Sequence, residues 1–390
     1  MNASNNINDS SLSMSKNELN DKASQSSNTK LYIIIGVISG AIVIAIIVIL
    51  TILMIKKDKP KKKSIFDNAE QRLQLIIEGK EDNSEKKYYM DKFKDEGEQV
   101  KIFGDNFNEF DSSNATIYLN GENIGFDKNI SIKPKINNTI EIKFLEKIST
   151  FKEMFKECDR IREITLINMA TDDINETTSM FENCKSLLEV KFENMHIENI
   201  TNTSKMFKGC KNLNKIELGN FNTNNTIDMS QMFEECSSLS NTTFIENLST
   251  HNSENMNKMF SGCTTITSLD LTNYSTSNVK DMSEMFQGME SVKQIILSSF
   301  DTSNVEYMNQ MFENCTSITN LDLSSFNTEK VTNMYRLFYN CKELNNIKAS
   351  SFNLTNCNNK DEMFFYTHNL SESSIDNEVL KNLSFNKSNI

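Results

Sequence analysis

The sequence predicts an α/β repeat solenoid of about nine 26-residue units, with a small β cap at its N-terminal end and one transmembrane helix before it. Three observations predict this class. A Met-Phe pair recurs at Met154, Met180, Met206, Met232, Met259, Met285, Met311 and Met363, with Leu337-Phe338 filling the remaining place. The step is 26 residues, with one residue inserted between Met232 and Met259. A fixed period of this length is the mark of a solenoid, whose units bury their apolar faces only against one another. The second observation is a run of 25 uncharged, mostly Ile and Val residues, Leu31 to Ile55. The third is a group of alternating apolar runs between Val100 and Phe144.

Counted from its Met, the unit has Phe at 1, Cys at 4, aliphatics at 7, 10 and 12, an aromatic at 15, Thr at 17, Val at 20 and Met at 23. The pairs Leu269/Leu271, Ile295/Leu297 and Leu321/Leu323 alternate apolar with polar, as a short half-buried strand does. From Asn304 through Val305, Met308, Met311 and Phe312 the apolar spacing is three and four, the pattern of a short helix with one buried stripe. Gly209, Gly262 and Gly288, or Asn183, Asn314 and Asn340, precede the Cys position. Gly and Asn tolerate the left-handed conformation that ends a helix. The expected unit is therefore helix, left-handed cap, Cys, loop, strand, and a Phe-Asn-Thr turn into the next helix. Stacking predicts a structural Cys ladder of Cys158, Cys184, Cys210, Cys236, Cys263, Cys315 and Cys341, with Met289 in one rung. It predicts an aromatic ladder of Phe221, Tyr274, Phe300, Phe326 and Phe352.

The unit Met-Phe-x-x-Cys-x-x-Leu-x-x-Leu-x-Leu-x-x-Phe-Asn-Thr-x-x-Val-x-x-Met resembles the BspA-type leucine-rich repeat, also described as the PARCEL repeat of mycoplasma surface proteins. Met259 to Met311 and Met311 to Leu337 match it almost in full, and the likeness extends from about Thr150 to the C-terminus. Met169 and Met195 stand where the aromatic belongs in the early copies, which also lack the Phe-Asn-Thr turn. The resemblance implies a right-handed leucine-rich-repeat solenoid displayed at a cell surface, with adhesive or protein-binding roles.

Residues 1–30 are polar and read as a disordered tail. Leu31 to Ile55, as a helix rising about 1.5 Å per residue, exceeds a hydrocarbon core of about 30 Å. Gly36 and Gly40 form a small-xxx-small pair, a face through which two such helices could dimerise. Lys56, Lys57, Lys59, Lys61, Lys62 and Lys63 follow at once. With Arg72 they outnumber Lys16, Lys22 and Lys30 on the other side, so the positive-inside rule places the repeats in the cytoplasm. The same lysines suit anionic lipid headgroups. The rest of 56–99 reads as a linker, partly helical, with an amphipathic helix expected over Ser64 to Gly79. In the cap, 100–149, Ala115 to Leu119 and Glu122 to Phe126 flank Asn120-Gly121, a hairpin signal. The solenoid then spans 150–370, and 371–390 is its C-terminal cap or tail.

Composition narrows the function. Net charge is -12, and beyond Lys63 the chain holds 32 basic against 49 acidic residues, which argues against binding a nucleic-acid backbone. No Cys-x-x-Cys pair, calcium loop or phosphate-cradling Gly motif occurs. His196, His251 and His368 fall in unrelated phases of the repeat, so the sequence predicts no enzyme, metal or cofactor. What is left is surface. Facing outward from the strands are Thr165, Lys191, Glu217, Asp270, Ile296, Asp322 and Lys348, with Ser298 and Ser324 beside them. Asp270, Ile296, Asp322, Ser298 and Ser324 are the candidate binding residues of this face, which a horseshoe would make concave. Two readings stand: a single-pass membrane protein of the plasma membrane or cell surface that recognises an unknown protein or surface ligand, and a cytoplasmic, membrane-tethered scaffold.

Overall fold

The computed structural model describes residues 72–78, 98–132, 137–168, 174–195 and 197–384. The described residues fall within one compact unit, residues 68–390. The apolar run Leu31 to Ile55, the Gly36 and Gly40 pair and the lysines of 56–63 lie outside the described residues.

The N-terminal part is built from β1 (Arg72–Glu78), β2 (Glu98–Lys101), β3 (Ala115–Leu119), β4 (Glu122–Gly125), β5 (Asn129–Ile132) and β6 (Asn137–Phe144). The body continues with β7 (Ile161–Ile167), β8 (Glu189–Glu193) and β9 (Lys215–Glu217), then β10 (Ser268–Asp270), β11 (Gln294–Ile296), β12 (Asn320–Asp322) and β13 (Asn346–Lys348). One sheet has the order β4-β3-β6-β1-β7-β8-β9 and so joins the N-terminal hairpins to the first coils. β1 is antiparallel to both β6 and β7, whereas β7, β8 and β9 run parallel. The tight β3–β4 turn holds Asn120 at φ 51° and Gly121 at φ 88°, the positive values a two-residue hairpin needs.

Of the helix expected over Ser64 to Gly79, the described residues Arg72–Glu78 form a strand, β1, instead. Leu73, Leu75 and Ile77 are fully buried while Gln74 is exposed. That period of two fits a strand paired on both sides, whereas the spacing of Leu73 and Ile76 taken alone also fits a helix.

The structure also overturns the α/β class. The body is a β-solenoid in which nearly all of the expected helix is absent. Among the described residues the helices are α1 (Glu378–Ser384) and two 3-10 turns, Thr243–Asn247 and Glu372–Ser374. None is long and apolar enough to cross a membrane. The strand-plus-helix unit of a leucine-rich repeat is therefore not what these residues build.

Successive turns occupy the helical place. In the coil around Met311, the amides of Met311, Glu313 and Cys315 donate three residues back within the coil, to Met308, Gln310 and Phe312. The alternate amides, of Met308, Gln310, Phe312 and Asn314, donate instead to Asn333, Tyr335, Leu337 and Tyr339 of the next coil at 2.8–3.0 Å. A helix would spend every amide on its own chain. Here half of them point along the stack, and the backbone turns back through left-handed residues, Gln310 at φ 58° and Asn314 at φ 60°. A chain that turns every three residues also buries every third side chain, so the spacing of Val305, Met308, Met311, Cys315 and Ile318 fits both structures.

Inside, the Phe beside each Met forms one continuous stack. Phe155, Phe181, Phe207, Phe233, Phe260, Phe286, Phe312, Phe338 and Phe364 follow one another with centroids 5.1–6.2 Å apart. Burial of each ring contributes about 2 kcal/mol. Phe103 of the N-terminal part adds a further ring, 6.0 Å from Phe155. Its neighbour Gly104 lies so close that a Cβ there would stand 2.1 Å from the Glu153 carbonyl oxygen, so the seam admits only glycine. A second ladder of parallel bridges runs from Glu176 through Asn202, Asp228, Asn255, Asp281, Tyr307 and Asn333 to Asn359.

At the far end Ile375 bridges to Ile347, and Ile375 and Leu380 are buried. Asn377 closes the stack. Its Nδ2 donates to the carbonyls of Ala349 and Phe352, and its Oδ1 accepts the amides of Val379 and Leu380, capping α1.

Candidate functional site

Each coil meets its neighbours through polar corners as well as apolar ladders. Thr223, Thr250, Thr276, Thr302 and Thr328 are buried at unit position 17. Thr302 Oγ1 donates to the Asn327 carbonyl at 2.8 Å and accepts the Asn327 amide at 2.8 Å, and Thr276 and Thr328 do the same one coil before and after. One hydroxyl thus satisfies both backbone groups of a residue in the next coil, at a bend where no strand can. Asx turns shape the coil at three places: Asp322 accepts the Ser324 amide, Asn327 that of Glu329, and Asn333 that of Tyr335. The Asn and Asp content of the unit is therefore structural.

The Cys residues lie buried as free thiols. Cys184, Cys210, Cys236, Cys263, Cys315 and Cys341 each donate Sγ–H to the Phe carbonyl of the preceding coil, at 2.9–3.2 Å. Met289, which has no such donor and a longer side chain, belongs to the rung where the Phe260 and Phe286 centroids are 6.2 Å apart, the widest step of the stack. Burial pushes the thiols of Cys184, Cys263 and Cys315 up to about 12 and raises the others of the ladder well above their ordinary value. Such thiols are poor nucleophiles at neutral pH.

The strand wall is less regular. The coil with the inserted residue places the 3-10 turn Thr243–Asn247 where a strand would stand, between β9 and β10. β10 pairs with β11 and β12 with β13, but β11 and β12 belong to separate sheets. The Leu271 amide reaches the Ile296 carbonyl and the Leu323 amide reaches that of Lys348, with no corresponding bond between Leu297 and Asp322. The ladder is open there, and Ile295 is 6% exposed where Leu269 and Leu321 are 0% and 1%.

An open groove of about 550 Å³ lies over this break. Gln294, Ile296, Ser298, Thr319, Asn320, Asp322 and Ser324 contribute to its lining. Four of the five residues singled out in the sequence, Ile296, Ser298, Asp322 and Ser324, thus come together. Asp270 does not line the groove. It sits in register with Ile296 on β10, where its carboxylate accepts the Thr272 amide at 3.0 Å. Asn320 and Gln294 belong to the same outward column that the repeat phase marks, whereas Thr319 and the opening of the ladder had no signal in the repeat, because β11 and β12 carry the same apolar pattern as paired strands. The Asp322 carboxylate accepts the Ser324 hydroxyl at 2.6 Å and pairs with Lys348 at 2.9 Å. The Ser324 hydroxyl first and Lys348 second hold it below the usual carboxylate range. Farther along the wall the outward residues are paired with one another: Lys215 meets Glu189 at 2.6 Å and Glu217 at 2.7 Å. Exposed pairs of this kind are screened by water and contribute little to stability. Among the described residues no group of His, Cys, Asp and Glu side chains is arranged to hold a metal ion.

Residues 149–270 and 254–377 match a family described as "Mycoplasma protein of unknown function, DUF285", which accounts for more than half of the chain. No curated protein matches it.

Proposed function

The chain belongs to that Mycoplasma family, DUF285, and from this premise and the open strand ladder we propose that the solenoid recognises an extended protein segment along its strand wall. The break between β11 and β12 carries the proposal. A paired parallel sheet has no backbone groups to offer on its face, whereas an open rung leaves amides and carbonyls beside a groove. Ile296 offers the groove an apolar floor, and Gln294, Ser298, Asn320 and Ser324 supply hydrogen-bonding groups for orientation. The likeness to the BspA-type repeat supports the same reading through the protein-binding roles that family implies. The Lys56 to Lys63 run supports a second reading, a cytoplasmic scaffold, in which the same wall would hold an internal partner.

Selection from a displayed random-peptide library on the immobilised full chain tests the proposal. Enriched peptides should lose affinity about tenfold or more for Ile296→Arg and keep it for Asn225→Ser, which lies away from the strand wall. Peptides that bind the Ile296→Arg chain as well as the wild type would rule the groove out. An epitope tag after Ile390, probed on intact and on permeabilised cells, separates surface display from the scaffold.

A further inference from the structure

The outer surface of the turn wall changes character in its last two coils. At the place following the stacked Phe, earlier coils carry Lys208, Glu234, Ser261 and Gln287. Several of these pair between coils, as Lys208 does with Glu234 at 2.7 Å. The last two coils carry Tyr339 and Phe365 instead, rings that stack 5.8 Å apart at 7°. Tyr366 follows, with its centroid 5.6 Å from Tyr339 and 4.3 Å from Phe365, nearly perpendicular to both. Those three distances place Tyr366 alongside the pair rather than at its end. His368 stands 6.0 Å beyond it.

Tyr366 is anomalous for its position. Its φ is +64°, in the left-handed region. At the equivalent place Asn183, Gly209, Gly262, Gly288, Asn314 and Asn340 adopt this conformation at low cost, Glu157 at φ 60° and Glu235 at φ 59° share its strain, and Tyr366 alone is aromatic. A tyrosine there is strained, and it recovers little by burial because it is 46% exposed. Among the described residues neither the Tyr339 nor the Tyr366 hydroxyl has a hydrogen-bond partner. Strain held by an exposed aromatic points to use of the ring rather than to stability.

We propose that Tyr366, supported by Tyr339, Phe365 and His368, is a stacking platform for a neutral sugar ring of a glycan. The negative face of an aromatic ring attracts the C–H groups that line one face of a pyranose. The sugar's hydroxyl rim then needs donors and acceptors around the ring, and the Tyr339 and Tyr366 hydroxyls and the His368 imidazole supply them. The one cation of the cluster is already engaged: Arg336 lies 4.4 Å from the Tyr339 centroid and binds Glu362 at 2.7 Å. The platform therefore favours an uncharged ligand over an acidic one. This site is separate from the strand-wall groove and stands without it.

The test uses the full chain on an array of neutral and acidic glycans, followed by titration with free mono- and oligosaccharides. Tyrosine fluorescence serves as a second readout, since the chain has no Trp and nine Tyr. The wild type should bind neutral pyranose glycans. Tyr366→Phe, which keeps the ring and loses one rim hydroxyl, should weaken binding less than Tyr366→Asn, which should weaken it about tenfold or more while unfolding at the same or a higher temperature. Binding that needs the polymeric glycan and is not competed by the free sugar assigns the ligand to an extended chain. Competition by the free sugar assigns it to the single ring. Absence of glycan binding by the wild type, unchanged binding by Tyr366→Asn, or a fall in the stability of Tyr366→Asn that accompanies its loss of binding would overturn the proposal.

Discussion

The turn wall and the strand wall are made by the same repeat, yet only one of them is continuous. The Phe stack and the coil-to-coil amides of the turn wall run without a break from Phe155 to Phe364. The strand wall is interrupted at Thr243–Asn247 and again between β11 and β12. Strand pairing is therefore not what keeps the coils in register. The register comes from groups with fixed partners in the adjacent coils: rings stacked on the rings before and after them, a thiol on a carbonyl, a Thr hydroxyl on both backbone groups of one residue in the next coil. Freed of that task, the strand wall can open locally and present a groove.

The contrast can be tested at four scales. The largest effect should come from alkali. Unfolded thiols ionise near about pH 8.5, whereas burial keeps those of Cys184, Cys263 and Cys315 protonated up to about 12. Between these values the folded chain holds protons that the unfolded chain has lost. Stability is then fully present below about pH 8.5 and falls above it by about 1.4 kcal/mol per pH unit for each thiol. Urea titrations at several pH values should show this fall, with a shallower slope for Cys315→Ala. An equal slope in that variant would remove the thiols from the account.

Next come the rings and aliphatics of the two walls. Phe286→Ala in the turn wall should cost about 4 kcal/mol, and Ile295→Ala at the open rung about 2 kcal/mol. Equal losses in denaturant titration would mean that the strand wall carries as much of the stack as the turn wall. At a corner, Thr302→Val keeps the shape and removes both bonds to Asn327, for a loss of about 2 kcal/mol. A change below about 0.5 kcal/mol would show the hydroxyl to be dispensable. The smallest effect has the opposite sign. The Tyr274 hydroxyl is buried without a partner, so Tyr274→Phe should raise stability by about 1 kcal/mol, visible as a higher melting temperature.

The sequence disclosed the repeat and its columns because one residue type recurs at each buried place. Phe312, Cys315 and Thr328 each continue a column that the repeat alone defines. It did not disclose the turn wall. Apolar spacing of three and four serves a helix and a chain of three-residue turns alike, and only one of the two left-handed positions carries a signature. Asn314 and Gly288 mark the place before the Cys position, whereas the place before the Met holds Lys258, Glu284, Gln310 and Arg336, ordinary residues held there by the coils on either side. The Asx turns at Asp322, Asn327 and Asn333 likewise carry no apolar signature and emerge only from the folded coil. The groove shows both sides of this limit. Ile296 stands out in a polar column, but the open rung beside it depends on how two coils settle against each other, which no single unit encodes.

One feature of the corners reaches beyond stability. The Thr302 bonds span 25 residues, the thiol bonds mostly 29 and the Asn304 side-chain bond to Ser277 27, so these polar ties join a coil only to its immediate neighbour. Removing or duplicating one whole unit would leave each remaining donor facing an acceptor of the same kind. The molecule can thus change its length by recombination between its own copies while the N-terminal sheet and the Asn377 closure stay as they are. Reach is then an adjustable property of the chain, set by copy number and largely independent of its folding.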